Sequence, residues 1–203
     1  MGFRISQIFF WLSLSIYFGG LAILGPLAAY EIFTIIPESH AQVPGMSTRL
    51  DQPKQLAGAV FGHILKAFNP VELICAGVLV AAVVIQTVFY LRRGNIWNLL
   101  RVVLVCLIAA VTVFDCFYTF PRVWREHQLW VQNVDRHPAQ AAAHRKVFEK
   151  LHAQSEHLGE TELLLLLALL VVSAAGVQGP QRGRKPAGAG NSAESAGMTE
   201  GKR

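Results

Sequence analysis

An acidic side chain, Asp115, lies within a long apolar stretch of the chain, six residues before Pro121. A carboxylate inside a membrane is energetically expensive and is a candidate functional group by default, here a proton or cation site. At a helical rise of about 1.5 Å per residue, it lies about 9 Å inside the end of that stretch. The alternative is a structural role, in which Asp115 hydrogen-bonds one turn away or pairs with a basic side chain. The candidate partners are Tyr118, Thr119, His63, Lys66 and Arg122.

Histidines and one glutamate offer a second kind of chemistry, the ligation of a metal or a haem. Glu149 and His152 have the Glu-x-x-His spacing by which helical di-iron proteins place two ligands on one helix face, but those proteins use two such motifs and two further glutamates. His144, His152 and His157 could instead ligate copper, zinc or haem, since neutral imidazole is a common metal ligand. The alternative is that these histidines are surface residues that bind nothing. No cofactor is therefore predicted, and a metal or haem stays an open alternative.

The composition argues against a soluble enzyme and against a nucleic-acid-binding protein. Of the 203 residues, 53% are hydrophobic and 15% are charged, whereas a soluble domain usually carries about 25% charged residues. The net charge is +5, but the basic residues flank apolar blocks and are not interleaved with aromatic residues. The sequence also contains no nucleophile elbow, phosphate-binding loop or catalytic triad order.

Four apolar blocks are long enough, or nearly long enough, to cross a lipid bilayer as helices. A hydrocarbon core of about 30 Å requires about 20 apolar residues in helical form. The blocks are residues 8–30, 70–91, 99–121 and 161–177. They predict an all-α protein, a four-helix transmembrane bundle over residues 1–177. The lipid bilayer is its expected partner, and a second copy of the chain or another membrane protein is a further candidate.

Two amphipathic segments precede the second and the fourth block. Apolar residues recur at helical spacing over residues 56–68 and again over residues 139–159, with charged residues between them. Such segments are too short or too polar to span a membrane, and they predict two surface amphipathic helices. Residues 178–203 are rich in Gly, Ala, Ser and charged residues, which predicts a disordered basic cytoplasmic tail.

The distribution of basic residues predicts the orientation of the four spans. Arg92 and Arg93 lie in a short connection between the second and third blocks, and short loops rich in Lys and Arg stay in the cytoplasm. Both termini are therefore expected in the cytoplasm. The protein is predicted to be multi-pass and to lie in the plasma membrane, the inner membrane if it is bacterial. All seven histidines then fall on the opposite face.

Small residues in the first block predict close helix packing. They recur every three or four residues, which places them along one stripe of a helix. Small side chains let helix backbones approach each other closely in a membrane; a ligand groove is the alternative. The residues of the stripe are Ser15, Gly19, Ala22, Gly25 and Ala29.

Several short motifs, in this order, resemble a known family of membrane proteins. They are Tyr17-Phe18-Gly19-Gly20 with Gly25-Pro26-Leu27, Ala57-Gly58-Ala59-Val60-Phe61-Gly62, residues 117–121 with Arg122, and Phe148-x-x-Leu151-His152-x-x-Ser155-x-x-Leu158. Over roughly residues 10–175, the chain resembles the small four-helix membrane family that includes the eukaryotic transmembrane protein two-oh-five and many bacterial members of unknown function. The resemblance implies an integral membrane domain and no assigned reaction.

Two functions are compatible with these features. The leading hypothesis is a non-enzymatic membrane protein, either a scaffold or a small-solute binding module, with Asp115, His63 and His152 towards its outer face. The alternative is a metal- or haem-binding membrane protein in transport or redox work, which would use His152 with Glu149 or His63.

Overall fold

The computed structural model describes residues 2–38, 52–90 and 96–176, and this part of the chain is built from four long helices. All of its regular secondary structure is helical, which confirms the predicted all-α fold. The helices are α1 (Gly2–Ala22, Ile23–Ala28 and Ala29–Glu38), α2 (Gln52–Ile85 and Gln86–Tyr90), α3 (Ile96–Phe114, Asp115–Thr119 and Phe120–Asn133) and α4 (Pro138–Gly176). The middle segment of α1, the last of α2 and the middle one of α3 are π-helical.

Each of the four helices is long and apolar enough to cross a membrane. The qualifying segments are Gly2–Ile35, Leu56–Val88, Ile96–Asn133 and Pro138–Gly176. The last of these has 39 residues, about 58 Å at the usual rise. That is nearly twice the thickness of a hydrocarbon core of about 30 Å.

The helices pack side by side, and successive helices run antiparallel. α1 packs against α2, α2 against α3 and α3 against α4, and contacts between α4 and α1 close the ring. A tight turn joins α3 to α4, in which the His137 amide donates to the Asn133 carbonyl at 2.8 Å. We call the end that contains Gly2, Tyr90, Ile96 and Gly176 the proximal end, and the opposite end the distal end. The buried core runs along the middle of the ring and includes Phe10, Leu79, Ile108 and Leu166.

The two amphipathic segments are not separate helices in this structure. Residues 56–68 belong to α2, which begins at Gln52, and residues 139–159 belong to α4, which begins at Pro138. The third apolar block likewise does not end at Pro121, because α3 continues to Asn133. Three long helices therefore extend the bundle at its distal end.

Two prolines lie in or next to π-helical segments. Pro26 lies inside Ile23–Ala28, and Pro121 lies two residues after Asp115–Thr119. A proline removes a backbone N–H and its ring clashes with the carbonyl four residues earlier. A wider π-helical turn changes the hydrogen-bond pattern at that point, so the helix can continue without the missing donor.

The small-residue stripe of α1 lies largely outside the face that this helix buries within the bundle, and its role in helix packing stays a prediction. Ser15 and Gly25 are exposed, and a Cβ built on Gly19 or Gly25 meets no atom of the described residues within 4 Å. The buried face of α1 is instead Ser6, Phe10, Ser13, Leu14 and Tyr17. Larger side chains fill the space between the helices, so the stripe is turned away from its neighbours. The predicted tail, residues 178–203, lies outside the described residues.

Candidate functional site: a buried acid cluster

A buried hydrogen-bonded group joins three helices near the middle of the bundle. The Tyr17 hydroxyl of α1 donates to Oε1 of Glu162 in α4. The Thr112 hydroxyl of α3 lies 2.5 Å from the same oxygen and 2.6 Å from the Tyr17 hydroxyl. These residues are separated by up to 145 positions in sequence, so the group exists only once the bundle has formed.

Two further carboxylates lie next to this group. Glu72 of α2 accepts a weak hydrogen bond from the Cys116 thiol, with Sγ and Oε2 3.9 Å apart. Asp115 of α3 accepts from the Ser155 hydroxyl of α4 at 3.4 Å. Glu72 is within electrostatic range of both other carboxylates. We call Glu72, Asp115 and Glu162 the acid cluster.

Two carboxylates of the acid cluster are buried, Asp115 is half-buried, and none of the three has a basic partner in the described part of the chain. Glu72 is 7% exposed and Glu162 is 4% exposed. The ion pairs among residues 2–38, 52–90 and 96–176 involve other carboxylates, namely Glu126, Glu149, Glu156 and Glu160. Three carboxylates that approach one another in a low dielectric repel strongly when they are ionised. The arrangement therefore favours a bound cation or protonation.

One face of α3 supplies most of the polar groups around the cluster. Thr112, Cys116 and Thr119 follow each other at intervals of four and three residues, which places them on one side of the helix. Thr119 is 1% exposed, and its hydroxyl oxygen has no hydrogen-bond partner among the described residues. Buried polar groups are nearly always hydrogen-bonded, so this hydroxyl is available to a ligand or a water molecule.

An apolar layer closes the bundle on the proximal side of the acid cluster. Leu14 lies one turn from Tyr17, Ile108 lies one turn from Thr112, and Leu166 lies one turn from Glu162. Leu79 and Leu169 complete the layer, and all five side chains are at most 1% exposed. These five apolar side chains lie between the acid cluster and the proximal end.

Asp115 has a different partner from those predicted. Its hydrogen-bond donor is Ser155, a residue of α4 that sequence spacing did not associate with it. Tyr118 instead accepts from Arg122, with Nη1 and the phenol oxygen 2.6 Å apart. Asp115 therefore contributes to a contact between helices, and it is one of three carboxylates at this place.

The three candidate metal ligands each contact another side chain. Glu149 pairs with Arg145 at 2.7 Å, His152 lies 3.3 Å from Glu156, and His63 contacts the ring of Trp124 at 5.5 Å between centroids. In the part of the chain that the structure describes, no three His, Cys, Asp or Glu side chains are grouped so that they could hold a metal ion. The predicted ligand set is therefore not assembled in this structure.

Sequence reasoning missed most of the acid cluster. Glu72 and Glu162 lie within two residues of the starts of the predicted blocks 70–91 and 161–177, where a charged residue is common, and Tyr17 belongs to one of the family motifs. The structure instead has Glu72 and Glu162 well inside the long helices α2 and α4. The available signal was the presence of one carboxylate in each of three apolar blocks, since such residues usually face a bundle interior.

No family model, no curated protein and no solved structure matches this chain. The resemblance to the four-helix membrane family stays a prediction, and the proposals below depend on the geometry of the bundle.

Proposed function

We propose that the chain is an integral membrane protein with four spans, both termini on the cytoplasmic side and the distal end outside. The outward surface of the bundle supports this proposal, because large apolar side chains are exposed on several helices. Examples are Ile8, Leu12, Val88, Leu164 and Val171, which are 54–68% exposed. A water-soluble monomer rarely exposes a large contiguous apolar surface, whereas a lipid bilayer solvates it.

Within this membrane protein, the acid cluster binds a small cationic solute, so that the protein acts as a small-solute binding module. The observation that carries this proposal is a group of three carboxylates on three helices, two of them buried and Asp115 half-buried, without a basic partner in the described residues. A buried charge is costly unless it is compensated. A bound cation compensates it and also provides donors for the carboxylate oxygens.

Two further features support binding rather than conduction. The hydroxyl of Thr119 is buried without a partner among the described residues, and it lies on the same side of α3 as Thr112. The apolar layer, with Leu14, Ile108 and Leu166, lies between the acid cluster and the proximal end. A solute that enters from the distal side would reach the carboxylates and stop there.

The depth of the cluster is compatible with entry from outside. Thr112 lies 16 residues from the first residue of α3, about 24 Å along the axis. If the hydrocarbon core begins at the proximal end, this position lies in its outer third. A solute then crosses only a short distance from the outer surface.

The test is equilibrium binding of radiolabelled methylammonium to the full chain in phosphatidylcholine nanodiscs. We expect saturable binding by the wild type. Glu162→Gln and Asp115→Asn should each weaken binding at least tenfold, because each removes one of three charges that hold the cation. Two variants are used so that the result does not depend on Glu162 alone, which also joins helices.

The control is Glu160→Gln, which removes a carboxylate that is 74% exposed and two residues away from Glu162. It should bind methylammonium as the wild type does. Absence of saturable binding by the folded wild type, or equal affinity in all four proteins, would contradict the proposal and leave a scaffold as the better description.

A further inference from the structure

A second buried polar group lies near the proximal end and has the opposite charge. Nη2 of Arg101 in α3 donates to Oε1 of Gln86 in α2 at 3.0 Å. The guanidinium also lies over the ring of Phe10 in α1, with 4.6 Å between its central carbon and the ring centroid. Arg101 is 9% exposed and Gln86 is fully buried. Three helices thus enclose one positive charge.

This group has more donors than acceptors. Nε of Arg101 and Nε2 of Gln86 are buried and have no hydrogen-bond partner in the described residues. The hydroxyl of Ser173 in α4 also has no hydrogen-bond partner in the described residues, and Ser173 is 2% exposed. Gly176 of α4 faces Trp97 of α3. Ser173 lies three residues before Gly176, and Arg101 lies four residues after Trp97. Since α3 and α4 are antiparallel, Ser173 and Arg101 are at the same level of the bundle.

No acidic side chain of the described residues compensates Arg101. None of the ion pairs in residues 2–38, 52–90 and 96–176 includes it. The acid cluster lies beyond the apolar layer, and its Glu72 is 14 residues from Gln86 along the same helix, about 21 Å at the helical rise. At that separation the attraction between the two groups is small. A buried, unpaired cation with spare donors is the environment that an anion requires.

We propose that Arg101, Gln86 and Ser173 form a binding site for a phosphate group, either on a phospholipid or free in solution. The planar guanidinium matches the geometry of phosphate oxygens and donates to two of them at once. The amide and the hydroxyl add one donor each. Arg101 lies five residues from the first residue of α3, about 7.5 Å along the axis, so its long side chain can reach a phosphate at the end of the bundle.

The proposed phosphate site differs from the acid cluster in its charge and in its position along the bundle. Its donors come from three helices at one level, and the apolar layer, which includes Leu79 and Ile108, lies between the two groups. In the proposed orientation it faces the cytoplasmic leaflet, where basic pockets between helices bind anionic headgroups.

The test measures the thermal stability of the full chain in maltoside micelles, which contain no phosphate, with two probes in separate arms. One arm adds phosphatidylglycerol to the micelles. The other adds inorganic phosphate, with chloride at equal ionic strength as the reference, since salt screens surface charges. A ligand at ten times its Kd should raise Tm by about 3–6 °C.

Arg101→Met removes the guanidinium and Gln86→Leu removes one donor, and both should lose most of the shift whatever their own stability. Arg4→Met removes an exposed cation near the same end of the bundle and should keep the full shift. A shift with phosphatidylglycerol alone assigns the site to a lipid headgroup, and a shift with free phosphate assigns it to the soluble anion. No shift in either arm, or an equal shift in Arg101→Met, would overturn the proposal.

Discussion

Glu162 is the most enclosed carboxylate of the bundle, and its burial depends on two hydroxyl groups from other helices. Tyr17 donates to its Oε1, and Thr112 lies 2.5 Å from the same oxygen. A buried polar group that loses a partner costs about 1–3 kcal/mol, more when it is charged. The hydroxyl of Tyr17 therefore stabilises both the contact between α1 and α4 and the position of the carboxylate.

Tyr17→Phe should destabilise the protein by about 1–3 kcal/mol, because it removes the donor and leaves the ring packing unchanged. Thermal unfolding in detergent measures this as a lower Tm, at roughly 2–4 °C per kcal/mol for a chain of this size. The matched control is Tyr30→Phe, which changes a 68% exposed side chain of the same helix and should alter Tm little. Equal shifts in the two variants would show that the Tyr17 hydroxyl has no structural role.

Sequence could indicate single residues of the site and not their partners. Asp115 was identifiable because it is a charge within an apolar block. Its contact with Ser155 joins residues 40 positions apart, and that of Tyr17 with Glu162 joins residues 145 apart. Such pairs depend on which helices are neighbours and on their vertical alignment, and helical periodicity specifies neither.

At the scale of the helices, one glycine of α1 lies directly against an aromatic ring of α2. A Cβ built on Gly20 would clash with the Phe68 ring, whereas one built on Gly19 meets nothing within 4 Å in the described residues. The face of α1 that approaches α2 is thus displaced by one residue, about 100° around the axis, from the predicted stripe that contains Gly19.

The adjacent glycines provide a matched pair of substitutions. Gly20→Ala should destabilise the protein by about 1–3 kcal/mol, since the ring of Phe68 must move out of a packed position. Gly19→Ala should be neutral or stabilising by up to about 1 kcal/mol, because alanine is the better helix former and has room. Unfolding in detergent compares the two with the wild type. A larger loss in Gly19→Ala would place the packing face on the predicted stripe after all.

The four helices were predictable in type and approximate position, but their ends were not. Asn69 and Pro70 have the composition of a helix start, yet α2 begins at Gln52 and passes through Pro70. The apolar signal weakens beyond each block, because the distal extensions are amphipathic. Their continuity comes from packing, for example between α3 and α4, where His144 lies 2.8 Å from Glu126. A local sequence pattern contains no information on that partner.

Taken as a whole molecule, the bundle separates two polar groups of opposite charge by an apolar layer. The acid cluster lies towards the distal end and the group around Arg101 lies at the proximal end, with Leu79, Ile108 and Leu166 between them. In the proposed orientation the basic group lies on the cytoplasmic side, where basic residues of membrane proteins are usually more frequent. The orientation of the bundle therefore decides from which side of the membrane a ligand would reach each group.

That orientation can be measured on the full chain with two epitopes. One epitope is inserted in the turn between α3 and α4, after Asp135, and the other follows Arg203 at the end of the chain. In intact cells, or in spheroplasts where a wall is present, an antibody should bind the turn epitope, and it should reach the terminal epitope only after permeabilisation. This follows because four spans place both termini on one side, and Arg92 and Arg93 favour the cytoplasm for that side. The reverse pattern would turn the acid cluster towards the cytoplasm and Arg101 towards the outer leaflet. Accessibility of both epitopes in intact cells would instead contradict the single span, α4, that lies between them in the proposed topology.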